Sequence, residues 1–541
     1  MRFAIGIRAN LTARLETHPG MIVSWQVVQR WQWIAAGLVA VAVFAVLAGR
    51  FWHPYFGFTK FVQLDAGDAR IGISEVRANP VFVYDEFNGY DGAAYTQIAF
   101  HPLLDSPELK VAVGNVPYRA RRILGSALAW LLAGGNPAQI ANVYAGLNLA
   151  VWLGLAVVLW RVLPVNDARS YVAWAGVLFS AGALHSVRLA LTDLLAAMLV
   201  AGAVGLGERG RAAGAVGVLA AAGLARETAL AGVVGLWRGP WLASRPWMIN
   251  ALRTVAVAVP LLLWIFYIRW KVGPGDQGLG NFTWPIGGWI EKWAATFGDY
   301  ARQPHFRWLN TTTLLALIGL TAQAAFFIRR LRIENPWWRV GATSVLMMAL
   351  LGPSVWEGHP GAATRVLLPM GVAFAVLAVR ERAGWAWLLA GSLTVFSGVE
   401  ALRHVPHDPQ ELAAGRFASG AYLARLDGGW HGVERNSRTA WAWTAQEGRL
   451  SLKIFPGDHR PARVGLKVRA ITPRELRVEH DGAIVWQGAV GEKTQVIELP
   501  GIAGARGIIA LTLRSEAAPV PESAHAGARA LGFAVYGMEL R

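Results

Sequence analysis

Nine apolar runs, each close to the length a helix needs to cross a bilayer, decide what this chain can fold into. They cover residues 31–49, 138–163, 171–187, 189–207, 254–270, 309–328, 340–355, 362–379 and 384–399. Hydrocarbon offers the backbone no hydrogen-bond partner, so such runs must satisfy their N–H and C=O groups within helices. The composition agrees: of 541 residues, 54% are hydrophobic and 16% charged, where a soluble domain carries about a quarter charged. The formal charge of +17 comes from 51 Lys and Arg against 34 Asp and Glu. Much of the arginine flanks the apolar runs, which points to orientation in a bilayer and away from nucleic acid. The absence of cysteine excludes disulfides, thiolate metal sites and cysteine nucleophiles.

The first run follows a segment, residues 1–30, that carries Arg2, Arg8, Arg14 and Arg30 and no convincing cleavage site. An uncleaved anchor with a cytoplasmic N-terminus is expected. Two further apolar stretches do not read as crossings. Residues 123–133 are too short, and residues 212–237 are interrupted at Arg226 and Glu227, as at the apex of two half-helices. If both return to the side they enter from, Arg161, Arg169, Arg209, Arg211, Arg238, Arg245, Arg253, the Arg329 to Arg339 cluster, Arg380 and Arg382 all fall in the cytoplasm. The same parity puts outside the loops 50–122 and 271–308, the short turns 185–188 and 356–361, and everything after residue 400.

That tail changes period. RLSLKIF, VGLKVRA, LRVEH, AIVWQGAV, TQVIEL, GIIALTL and GFAVYGMEL alternate apolar and polar residues, and Asp481-Gly482 reads as a hairpin turn between two of them. The fold class expected is a mainly α, polytopic helical membrane protein with a C-terminal all-β sandwich domain. Its parts would be a cytoplasmic segment 1–30, a helical domain 31–400, a linker 401–426 and an extracytoplasmic sandwich 427–541.

Chemistry concentrates in the first outward loop, which holds Asp65, Asp68, Glu75, Asp85, Glu86, Asp91, Asp105 and Glu108. At its centre, YDEFNGYDGAAYTQIAFHP sets Asp91 between Gly89 and Gly92, with Tyr90 and Tyr95 offering flat faces suited to a sugar ring or the membrane interface. A carboxylate at the membrane surface suits a general base. The loop ends in YRARRIL, where Arg119, Arg121 and Arg122 sit against the positive-inside trend and suit a lipid phosphate.

These residues carry a resemblance. GYDGAAYTQIA, YRARRIL, the LTDLL at the head of a span, the ARETAL break and the ATRVLLP stretch together resemble the bacterial GT-C superfamily of polytopic, mannosyltransferase-like glycosyltransferases, over roughly residues 30–400. The resemblance implies a polyprenyl-phosphate-linked sugar donor, a glycan or lipid acceptor, no nucleotide cofactor, and a place in the bacterial cytoplasmic membrane. It implies Asp91 as catalytic base, with the Asp85–Glu86 pair as the second choice for the base or as ligands to the acceptor or a divalent cation (Mg or Mn). Arg119, Arg122 and Arg365 would stabilise the departing phosphate, and Tyr90, Tyr95 and Asp193 would complete the substrate site. The chain departs from the family pattern where relatives read GYDGQFYY, losing one polar and one aromatic contact.

Other readings stay open on the sequence. Asp193, five residues after Arg188, fits a functional intramembrane acid or a structural ion pair equally well. Arg226 and Glu227 read more readily as a self-satisfying pair at a helix break. The Trp-rich loop 271–308 reads more readily as an interfacial amphipathic helix than as a lid with Trp284 and Trp289 on sugar. Trp430, Trp441 and Trp443 read more readily as sandwich core than as a glycan platform. Glu357 and His359 lack the further ligands of a metal site. A polytopic transporter or flippase of lipid-linked glycans is the main alternative to an enzyme, and an inactive sugar-binding scaffold the third.

Overall fold

The computed structural model describes residues 19–85, 89–239, 244–275, 278–436, 439–457, 462–504, 507–525 and 527–540. The chain divides into two compact units. One comprises Met1–Phe51, Phe61–Ile73 and Gly89–His404, and the other Trp52–Lys60, Ser74–Asn88 and Val405–Arg541.

The first unit is helical, in a chain with the architecture of a multi-pass membrane protein. Five helical segments among the described residues are long and apolar enough to cross a bilayer: Trp31–Gly49, Pro137–Val162, Ala168–Arg188, Pro246–Lys271 and Pro304–Arg329. They match five of the nine apolar runs; the other four form shorter or interrupted helices. Asp193–Glu208, for instance, has 16 residues and so extends only about 24 Å, against a hydrocarbon core of about 30 Å. The ends are written into the sequence. Asn136 and Asn335 cap helices that open with Pro137 and Pro336, where the missing N–H costs nothing, and Asp167 with Ser170 forms a capping box. The break expected within 212–237 is present: Ala212–Ala225 is α-helical, Arg226 is extended, and Glu227–Leu236 winds as a tighter 3₁₀ helix.

A second break matters for the site. Between the helices Ala181–Arg188 and Asp193–Glu208 the chain turns sharply, with Ala190 at φ +48°. Its carbonyls find partners on the neighbouring Pro137–Val162 helix: Tyr144 donates to Ala190 O, and the Asn148 amide donates to Ser186 O and Leu191 O. Buried and bonded in this way, Tyr144 and Asn148 hold the helix start that presents Asp193.

The second unit holds nine principal strands: β1 (Glu411–Phe417), β2 (Gly420–Arg435), β3 (Ala440–Phe455), β4 (Ala462–Ala470), β5 (Arg474–His480), β6 (Ala483–Val490), β7 (Gln495–Ile502), β8 (Ile508–Arg514) and β9 (Phe533–Leu540). All pairings are antiparallel, in the order β6-β5-β8-β3-β9-β4-β7, with β2 pairing along the other edge of β3 and β1 pairing with β2. β3 switches partners midway: residues 447–453 pair with β8 and residues 442–444 with β9. That switch makes the corner from which one ladder wraps into two faces around Leu450, Leu452, Leu466, Val468, Leu511 and Phe533. The expected hairpin is present at Asp481-Gly482, both in the left-handed region at φ +48° and +79°.

The sheet begins at Glu411, inside the stretch read as linker. β1 and β2 escaped the sequence reading because ELAAGRF barely alternates and β2 is broken by register shifts at Leu426, Gly428 and Trp430. Two stretches of the loop between residues 50 and 122 also belong to this unit and not to the helical one. Phe56, Phe82 and Tyr84 pack edge to face on one another and cluster with Leu423 of β2, and the His53 Nδ1 accepts the Tyr55 and Phe56 N–H groups while its Nε2 lies 3.3 Å from Glu411.

Candidate functional site

Asp91 opens the helix Asp91–Phe100, where a carboxylate is favoured by the unpaired N–H groups and the positive end of the dipole. Gly92 next to it admits no side chain, since a Cβ there would collide with Leu189 O and Val62 O. The helix start is thereby seated against the turn that leads to Asp193. Tyr90 precedes it in extended conformation, its N–H bonded to Gln63 O.

The Arg119 guanidinium meets Asp91 Oδ1 through Nε at 3.2 Å and Nη2 at 3.1 Å, and its Nη1 donates to Val113 O. Arg119 is placed by a short helix, Val116–Arg119, that Asn115 caps through the Tyr118 N–H. Asp91 and Arg119 line an open cavity of about 410 Å³ together with Asp65, Asp68, Gly89 and Tyr90. Asp65 caps its own short helix by accepting the Asp68 N–H at 2.7 Å. A Cβ on Gly89 would lie 2.5 Å from Asp65 Oδ2 and 3.0 Å from Asp68 Oδ2, so only glycine lets both carboxylates stand there. Burial and the nearby Asp65 push the Asp68 carboxyl above its ordinary pKa, against the pull of Arg119.

A buried layer of charge belongs to the same unit. Asp193 pairs with Arg226 and lies 4.0 Å from Arg365 Nη1. Arg365 in turn stacks over the Tyr90 ring at 5.1 Å and donates to its hydroxyl. Arg122 donates through Nε to Glu227 at 3.1 Å, through Nη2 to the Tyr118 hydroxyl at 3.0 Å, and through Nη1 to the Tyr95 hydroxyl.

The sequence-predicted residues therefore part company. Asp91, Tyr90 and Arg119 line the cavity, and Arg365 with Asp193 is linked to it through Tyr90. Tyr95 is buried, at 1% exposure, and is not among the residues that line the cavity. Arg122, at 7%, is committed to Glu227 and two tyrosines. Arg226 and Glu227 reach apart, to Asp193 and to Arg122 respectively. Asp85 is exposed, belongs to the second unit and is not among the cavity residues; Glu86 lies outside the described residues. Asp65 and Asp68 were not singled out, although an Asp followed three residues later by Asp is a helix-start signal. Among the described residues no three His, Asp or Glu side chains form a group that could hold a metal ion.

The other motifs found structural roles. Residues of the Trp-rich loop form the helix Gly287–Arg302, with Gly288, Lys292 and Thr296 buried on one face and Ile290 and Phe297 exposed. Lys292 donates to Gly358 O, and the His359 Nδ1 lies 3.2 Å from the Thr313 hydroxyl; burial and Lys292 lower the His359 pKa. In the sheet, Trp430 packs on Phe533, Trp443 is buried, and Trp441 stacks on Tyr536 while bonding Glu434.

No family model matches the sequence, and no curated protein does. Among solved structures the chain is similar to the cryo-EM structure of arabinosyltransferase EmbB from Mycobacterium smegmatis, at 13% identity and a TM-score of 0.29, over 83% of this chain and 64% of that one. The chain thus spans less than two thirds of that protein's length.

Proposed function

We propose that the protein is a membrane glycosyltransferase that moves a sugar from a polyprenyl phosphate to a hydroxyl of a glycan or lipid acceptor, with inversion, at the outer face of the bacterial cytoplasmic membrane. The observation that supports this most is a helix-start carboxylate, Asp91, paired with Arg119 on the wall of a cavity of about 410 Å³ lined by further acids. Asp91 takes the proton from the acceptor hydroxyl; that oxygen bonds to the anomeric carbon as the bond from the carbon to the phosphate oxygen breaks. The phosphate leaves with the electron pair, and its charge is met by guanidinium groups, of which Arg119 and Arg365 are nearest to the cavity residues. The transfer uses no nucleotide. The sandwich would orient the acceptor glycan.

The test is reconstitution of wild type and Asp91→Asn in liposomes with a panel of labelled polyprenyl-phosphate sugars and a crude acceptor. Release of sugar should fall about a hundredfold or more in the variant, whose carboxamide cannot accept the proton. Equal rates would remove Asp91 as the base. Labelled lipid crossing to the other leaflet without release would replace the enzyme by a flippase.

A further inference from the structure

Four guanidinium groups belong to the site, and their pairings are unequal. Arg122 and Glu227 have side chains 8% and 24% exposed, Arg226 and Asp193 15% and 2%, and Arg365 is 7% exposed. Opening such pairs leaves a charge in a dry interior. Arg119 and Asp91 are 33% and 34% exposed and border the cavity, so water or an incoming anion can replace either partner. Both Arg119 contacts fall on one oxygen, Oδ1, while Nη1 is anchored separately on Val113 O. The guanidinium can therefore swing off the carboxylate without losing its place. While the pair lasts, Asp91 Oδ1 accepts two guanidinium N–H groups and is closed to an acceptor hydroxyl.

We propose that the Asp91–Arg119 pair is a latch that keeps the base idle until the phosphate of a bound donor takes Arg119 away from it. This rests on the function proposed above. A phosphate offers the planar fork two oxygens, and it wins the competition only when it is held in the cavity. One motion then does two things: it frees Asp91 to take the acceptor proton, and it sets Arg119 against the oxygen on which charge appears as the carbon–oxygen bond breaks. When Asp91 is protonated it no longer attracts Arg119, so the cation stays with the leaving phosphate until product departs. Without donor, the latch keeps Asp91 from activating stray hydroxyls.

Magnetic-resonance distance measurements on the full-length protein, frozen in phosphate-free maltoside micelles with ¹⁵N-Arg and ¹³Cγ-Asp labels, test this, the Arg119 signal being identified by its loss in Arg119→Lys. Without ligand, Arg119 nitrogen should be in contact with Asp carboxyl carbon, and that contact should vanish in Asp91→Asn. Undecaprenyl phosphate should remove the carboxyl contact and replace it with one to ³¹P, whereas inorganic phosphate at the same concentration should leave the pair intact. Arg119 keeping its carboxyl contact while another arginine touches ³¹P would overturn the latch and leave the proposed function standing. Exchange with inorganic phosphate alone would overturn the donor dependence. No ³¹P contact to any arginine at saturating lipid phosphate would remove the donor reading itself, and the latch with it.

Discussion

The charge layer around Asp193 in the helical unit and the cross-strand pair Arg514–Glu447 in the sheet unit use charged side chains in opposite ways. In the buried charge layer of the helical unit, pairs join residues far apart in sequence and largely out of water: Arg122 reaches Glu227 across 105 positions, and Asp193 is held between Arg226 and Arg365. In the sheet unit, Arg514 faces Glu447 directly across two neighbouring strands, with side chains 48% and 36% exposed. The first kind of pair is costly to break because removing one partner strands a charge in a low-dielectric interior. The second is screened and adds little. Buried pairs thus define which packing of the helices is allowed, and exposed ones keep a surface wet. The Asp91–Arg119 pair belongs to the first unit by position and to the second kind by exposure, which is what a working pair requires.

The comparison breaks most easily at Glu227. Glu227→Gln leaves Arg122 buried without its anion, and a loss of about 3–5 kcal/mol is expected in detergent unfolding monitored by tryptophan fluorescence; an unchanged midpoint would mean that water already screens the pair. Gly92→Ala follows, because a methyl group there must displace the Leu189 and Val62 carbonyls, at a cost of about 1–3 kcal/mol. Asp68→Asn sharpens the contrast within the site. The folded carboxyl has a raised pKa, so the folded state holds that proton more tightly than the unfolded chain does, and the stability this provides fades as pH rises above the ordinary carboxylate value. The asparagine variant should therefore melt slightly higher than wild type at pH 7 and lose that advantage near pH 4. Arg514→Ala should leave the melting temperature unchanged, and a measurable drop would show that the exposed strand pairs of the sheet do more than solvate it.

Some of this was legible in the residues. Apolar run lengths identify the membrane class, Asn-Pro pairs mark two helix starts, and AIVWQGAV behind Asp481-Gly482 is a strand and its turn, because these signals act within one helical turn or one hairpin. Gly-Tyr-Asp-Gly marked Asp91 for the same local reason. The helix count was less secure: hydropathy records how apolar a run is but not whether buried neighbours such as Asn148 reward a break in it. The reassignment of residues 52–60 and 74–88 to the sheet unit had no local signal, since His53, Phe56 and Phe82 meet Glu411 and Leu423 only after some 350 residues of intervening chain have folded.

By itself, then, the sequence determined a polytopic helical protein with a β tail and an acidic loop after its first apolar run, because periodicity and turn chemistry are properties of neighbours along the chain. Which guanidinium goes to which carboxylate was decided only by the tertiary structure. Arg119 and Arg122 look alike in YRARRIL, yet one lines a cavity beside Asp91 and the other is sealed against Glu227, Tyr95 and Tyr118. Burial, which no run of residues states, sets the cost of opening each pair, and that cost separates a residue able to work from one that holds the fold.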